Sequence, residues 1–137
     1  KPATGPVPAD QAKFGLGKTT PREMASVIER FENCNLSPAN APAAASVQDK
    51  QMCALAIKIL KQQTDNGDIQ RYLTVPVANK TGALDDVRND VGIVYAKNGP
   101  IVISAFTYEN KDQSWGPDNA AQVVIGKLAK AIVDHWQ

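Results

Sequence analysis

At 137 residues the chain has the size of one domain and is long enough to bury a real core. Hydrophobic residues at 43% and charged residues at 21% match ordinary globular usage, which argues against wholesale disorder. A net charge of +1, with no basic stripe interleaved with aromatics, leaves a nucleic-acid partner without support. No apolar run approaches the roughly 18 residues of a membrane helix, so a soluble chain without a membrane span is expected.

The chain opens KPATGPVPAD, with neither Met nor the charged-then-apolar pattern of a signal peptide. That start reads as a cut inside a longer protein or as the mature end of a processed one. Residues 1–18 hold three prolines and three glycines without periodicity and are expected to be extended chain or loop. In TTPREMASVIERF, Thr20 can cap a helix, Pro21 suits its first turn, and Glu23 completes a capping box. Met24, Val27, Ile28 and Phe31 recur at helical spacing, and the helix should fade near Asn33. After the Pro-Ala linker LSPANAPAA, Ser46 and Asp49 form a second capping signal. Met52, Leu55, Ala56, Ile59 and Leu60 give the second helix its predicted apolar stripe, with Asn66-Gly67 as its stop.

From Val75 the period changes. VPVANKT, VGIVYAK and IVISAFTYE are β-branched or aromatic runs, the last two joined by Asn98-Gly99-Pro100, a hairpin signal. Both faces of the third run are apolar, which predicts cover on both sides. Asp118 can cap a terminal helix whose Val124, Leu128, Ala131 and Ile132 are expected to lie on the sheet. The order is helix, helix, three antiparallel strands, helix: an α+β arrangement so thin that its sheet is expected to lack neighbours.

Lys80-Thr81-Gly82-Ala83 is the candidate site. Lys80 and Thr81 offer an ammonium and a hydroxyl to an anionic group such as a carboxylate. Gly82 removes a side chain where a ligand could approach, and the Ala83 N–H could face a developing oxyanion. Asp85, Asp86, Arg88, Asn89 and Asp90 read as a solvated connection, with Arg88 kept as a guanidinium that could grip a carboxylate. Cys34 and Cys53 with the single His135 cannot build a four-ligand zinc site, and no C-x-x-C occurs. Cys34 falls where the first helix ends and Cys53 inside the second. The pair reads either as two buried hydrophobes or as a disulfide between neighbouring helices. His135, in the last turn of the terminal helix, suits the dipole there rather than catalysis.

Taken in order from Lys18 to Trp136, the TTPREM helix start, VANKTG, the hairpin VGIVYAKNGPIVISAFTYE and the terminal helix resemble the C-terminal half of a class A serine β-lactamase. The wider group includes the penicillin-binding transpeptidases. The resemblance implies residues 19–137 as the C-terminal part of such a domain, a partial β-lactamase/transpeptidase-like fold. A three-stranded antiparallel sheet, the KTG strand plus a hairpin, would carry the C-terminal helix and follow two helices. It implies hydrolysis of β-lactams through an acyl-enzyme, with Lys80, Thr81, Gly82, Ala83 and Arg88 on the substrate. Lys80 would tune the proton relay and the Ala83 N–H would be one of two oxyanion donors. It implies no cofactor and no metal, and a periplasmic or secreted location.

Departures from the family pattern are as informative. Ser26, Ser37, Ser46, Ser104 and Ser114 are the only serines, and none is followed by Lys at the third position. There is no S-D-N and no omega-loop glutamate motif; Asn79 stands where an acid or histidine is common. Tyr108-Glu109-Asn110 looks like Y-x-N but follows KTG, and reads as a strand end. The chain is therefore expected to supply one wall of a site without the nucleophile, and to be inactive alone. The upstream half of the same protein, or another copy, would complete sheet and site around a β-lactam or peptidoglycan-like substrate. The alternatives are a non-catalytic module binding such ligands reversibly, or a structural domain recruiting a partner through a sheet edge.

Overall fold

The computed structural model describes residues 19–37 and 44–136. The expected extended segment 1–18 and the middle of the Pro-Ala linker lie outside them. The elements are α1 (Pro21–Glu32), α2 (Val47–Leu60), a 3-10 turn (Ile69–Tyr72), β1 (Val77–Leu84), β2 (Val87–Ala96), β3 (Gly99–Thr107) and α3 (Ala120–Trp136).

Both early helices start as their local chemistry dictates. Thr20 accepts from the Glu23 N–H while the Glu23 carboxylate accepts from the Thr20 N–H, and Ser46 and Asp49 repeat the reciprocal pair. Asn33 caps the end of α1, and a disulfide from Cys34 to Cys53 ties that end to α2. The apolar stripe expected on α2 is displaced. Leu60 packs on the core as expected, but Met52, Leu55 and Ile59 are exposed, and buried Cys53 and core-packed Ile57 take their place. Nor does α2 run to Asn66-Gly67; it ends at Leu60 with Lys61 as cap.

The sheet has the order β1-β2-β3, antiparallel throughout. One face carries Val91, Ile93 and Val102 against Ile28, Met24, Ile57 and Leu60 of α1 and α2. The other carries Val77, Val94, Ala96 and Ile103 against Ile69, Ile125, Ala129 and Val133. Helical cover on both faces of β3 is thus present as expected. The terminal helix sits on the sheet by a different face from the one expected. Val124 and Leu128 are about half exposed, and the buried row is Ala121, Ile125, Gly126, Ala129 and Val133. Gly126 lets the 3-10 turn close on α3, because a Cβ there would stand 2.9 Å from Arg71 Cβ and 3.0 Å from the Asp68 carbonyl. Asn119, not Asp118, begins α3: its Oδ1 accepts from the Ala121 and Gln122 N–H groups. Asp118 pairs instead with Arg71 at 2.6 Å.

Two tight turns connect the strands. The register pairs Leu84 with Val87 and Ala96 with Gly99, leaving Asp85-Asp86 and Lys97-Asn98 as the turns. The second turn therefore precedes the expected Asn-Gly centre by one residue, and Gly99 supplies the positive φ, +114°, that enters β3.

Candidate functional site

Lys80, Thr81, Gly82 and Ala83 all lie on β1, which has β2 on one side and no strand on the other among the described residues. The pairing decides what this edge presents. The Tyr95 N–H donates to the Pro76 carbonyl at 3.0 Å, so Pro76 and Tyr95 face each other as a hydrogen-bonding pair. Antiparallel partners alternate between bonded and non-bonded pairs, which makes Lys80–Val91 and Gly82–Asn89 bonded. The N–H and C=O of Thr81 and Ala83 consequently turn outward to the free edge. Side chains alternate across the faces: Lys80 and Gly82 lie on the face of α1 and α2, Thr81 and Ala83 on the face of α3. Lys80 is exposed, with Nζ donating to the Thr81 carbonyl. A Cβ at Gly82 would meet nothing within 4 Å, so the space beside it is open. Thr81 Oγ1 lies 3.4 Å from Asp65 Oδ2, in the segment between α2 and the 3-10 turn.

Behind this edge the strand is held at two points. A Cβ at Gly92 would stand 2.6 Å from Asn79 Cβ and 2.9 Å from the Ala78 carbonyl, so β1 approaches β2 where only glycine fits. Beside it, Asp90 accepts from the Ile69 N–H at 3.0 Å and from Asn79 Nδ2 at 3.0 and 3.1 Å. One fully buried carboxylate thus ties β2 to the 3-10 turn and to the residue preceding Lys80. Burial outweighs these donors and raises the Asp90 pKa from 3.8 to about 6. Burial also pushes Asp68 upward, against the hydrogen bond from Gln122.

The connection expected between β1 and β2 is not a solvated loop. Both strands continue through it, leaving only Asp85 and Asp86 in the turn, while Arg88 and Asp90 are buried strand residues. The connection is consequently a tight two-residue turn between continuing strands. Arg88 is the register partner of Ala83, with its side chain on the face of Thr81 and Ala83. Its guanidinium donates to the carbonyls of Leu84, Val87 (2.7 Å) and Ser114 (2.7 Å) and lies 4.7 Å from the centroid of the Trp115 ring. Lys80 points to the opposite face, so the two cations do not converge as side chains.

Tyr108-Glu109-Asn110 follows the end of β3 at Thr107, and Asn110 binds the Asp86 carbonyl. Cys34 and Cys53 are the disulfide alternative realised. His135 is exposed in the last turn of α3. Among the described residues no three His, Cys, Asp or Glu are grouped to hold a metal ion, and no helix is long and apolar enough to cross a membrane. Two surface depressions of about 100 and 440 Å³ lie between Tyr72 and α3, and no residue of β1 lines either. Asp65, Asp68 and Trp115 were not singled out by sequence reasoning. The Asp-Asn-Gly-Asp run at 65–68 was the available signal for the first two, but it read as a helix stop.

The sequence matches the family described as "Beta-lactamase enzyme family" over residues 5–136. No curated protein matches significantly. Among solved structures, a beta-lactamase from Sphaerobacter thermophilus DSM 20745 is 24% identical, with a TM-score of 0.68 over 86% of this chain and 40% of that one. A class A beta-lactamase from Bacteroides cellulosilyticus DSM 14838 is 24% identical, with a TM-score of 0.62 over 85% and 40%. PBP-A is 18% identical, with a TM-score of 0.65 over 95% and 44%. The chain thus spans about two-fifths of the length of the structures it matches.

Proposed function

The chain belongs to the beta-lactamase enzyme family, and on that premise we propose that it supplies the substrate-holding wall of a serine acyl-enzyme that acts on β-lactams. The observation that carries this reading is the free edge of β1. There, the ammonium of Lys80, the hydroxyl of Thr81, the open space at Gly82 and the outward N–H of Ala83 fall within four consecutive residues. A substrate carboxylate would bind Lys80 and Thr81 through charge-assisted hydrogen bonds. The lactam carbonyl would then lie at Ala83, whose amide needs no reorganisation to stabilise negative charge on the oxygen. Arg88, buried beneath Ala83, adds positive charge on the same side, although its N–H groups already serve three carbonyls.

No serine of the chain has the S-x-x-K spacing, so the nucleophile and its bases are assigned to residues outside these 137, in the upstream half of the protein or in another copy. Among the described residues β3 pairs on one side only, and this edge together with the exposed apolar residues of α2 and α3 supports a complementary part that packs there. An exported setting, periplasmic or secreted, is part of the same reading and suits the Cys34–Cys53 disulfide.

The test joins the chain to the segment that precedes it in its parent and measures turnover of a chromogenic cephalosporin. Turnover is expected from the complex, none from the chain alone, and a loss of about 10²-fold or more in kcat/KM with Lys80→Ala. A well-folded complex that remains silent refutes the hydrolase reading. The lack of S-x-x-K favours one second reading, reversible binding of β-lactams or peptidoglycan peptides without acylation. In that case, mass spectrometry of the complex would find no covalent adduct although calorimetry registers saturable binding.

A further inference from the structure

The connection 108–119 between β3 and α3 is pinned along its length. Asn110 donates to the Asp86 carbonyl and to Thr107 Oγ1, and the Ser114 carbonyl accepts from Arg88. Arg71 holds Pro117 and Asp118. Asp112 accepts from the N–H groups of Ser114 and Ala120, and Asn119 donates to the carbonyls of Asp112 and Ser114. A segment so constrained nevertheless leaves Trp115 68% exposed, although tryptophan is ordinarily well buried. Its ring is not loose in solvent: it lies over the Arg88 guanidinium at 4.7 Å, an arrangement that fixes the plane of the indole.

That position is adjacent to the KTG strand. Arg88 and Ala83 are register partners with side chains on one face, and the guanidinium reaches towards the β1–β2 turn at Leu84 and Val87. The indole therefore stands beyond Ala83 on the side away from Lys80, where a ligand anchored by its carboxylate at Lys80 and its carbonyl at Ala83 would extend its acyl substituent. We propose that Trp115 is a specificity-determining residue that stacks on an aromatic acyl substituent of the substrate, with Arg88 as the positioning residue that holds the ring. The proposal rests on the reading of β1 as the substrate-holding strand. The exposed indole supplies planar contact area at low entropic cost, since its orientation is already set before ligand arrives.

Two penicillins that share a nucleus, one phenylacetylated and one acetylated, are compared by KM, or by calorimetric Kd where no turnover occurs. The protein used is the chain joined to the segment that precedes it in its parent, as wild type and as the Trp115→Ala, Trp115→Phe and Lys80→Ala variants. Trp115→Ala is expected to weaken the phenylacetyl ligand by about 3- to 10-fold and the acetyl ligand by less than about twofold. Trp115→Phe should restore most of the loss, and Lys80→Ala should weaken both ligands alike. Equal effects of Trp115→Ala on both, or none on either, overturn the specificity role while β1 keeps its own. A wild-type complex that neither binds nor turns over either penicillin refutes the reading of β1, and the role of Trp115 falls with it.

Discussion

Asp90→Asn probes the link that holds the KTG strand to the rest of the fold. Asp90 is fully buried, and its carboxylate accepts from the Ile69 N–H and the Asn79 amide, yet burial still raises its pKa to about 6 against an ordinary 3.8. The folded state therefore holds this proton more tightly than the unfolded chain. Its contribution to stability is complete below the unfolded value and is lost as pH rises through about 6. A gap of roughly two pH units corresponds to about 3 kcal/mol, most of it falling between about pH 4 and pH 7. Asp68 shifts the same way, whereas Glu23, Asp49 and Asp112, none of them in the core, are lowered by hydrogen bonds at helix starts and lose their contributions as pH falls. The raw stability curve is a composite, so the informative quantity is the difference between variant and wild type. Urea unfolding across that range should find Asp90→Asn gaining roughly 2–3 kcal/mol on the wild type from the acid end to the neutral end. Its absolute stability also reflects the mismatch of two amide NH₂ groups, which does not vary with pH. Parallel curves would refute the argument, because they would mean that Asp90 titrates as an ordinary surface carboxylate.

Three further outcomes follow from the packing. Gly92→Ala forces a Cβ against Asn79 and the Ala78 carbonyl and should cost about 1–3 kcal/mol, with faster amide exchange along β1; an unchanged melting temperature would contradict the close approach. Replacing Cys34 and Cys53 by serine opens a cross-link over 19 residues and should cost about 3 kcal/mol by the chain-entropy model, read from denaturation with and without reductant. Asn119→Ala removes the side-chain cap of α3 and should cost about 1 kcal/mol, while Asp118→Ala leaves helix content by circular dichroism unchanged; the opposite ranking would restore Asp118 as the cap.

What could be read from the sequence was mostly local. The starts of α1 and α2 depend on hydrogen bonds spanning three residues, so Thr20–Glu23 and Ser46–Asp49 announce them without reference to the rest of the fold. The KTG strand, the antiparallel hairpin, the terminal helix and the α+β family relationship were equally legible. The faces of the helices were not. In α3 both Val124–Leu128–Ile132 and Ile125–Ala129–Val133 recur at helical spacing, and only contact with the sheet selects the second row. In α2 the disulfide draws Cys53 inward and turns Met52 and Leu55 out. The polar run from Asp85 to Asp90 read as solvated because its partners are distant in sequence. Arg88 is satisfied by Ser114, and Asp90 by Ile69 and Asn79. Trp115 gave no signal, since an isolated tryptophan between polar residues carries no periodicity.

The outward turn of alternate amides makes β1 work like a reading frame. Val77 is anchored in the core, so loss of Ala78 or Asn79 would send the Ala83 amide towards β2 and swap the faces of lysine and threonine together. Losing two residues would restore the faces but displace the chemistry by roughly 7 Å along the edge. Substitutions can therefore tune this strand gradually, whereas changes in its length cannot; length variation is best accommodated beyond it, at the Asp85-Asp86 turn.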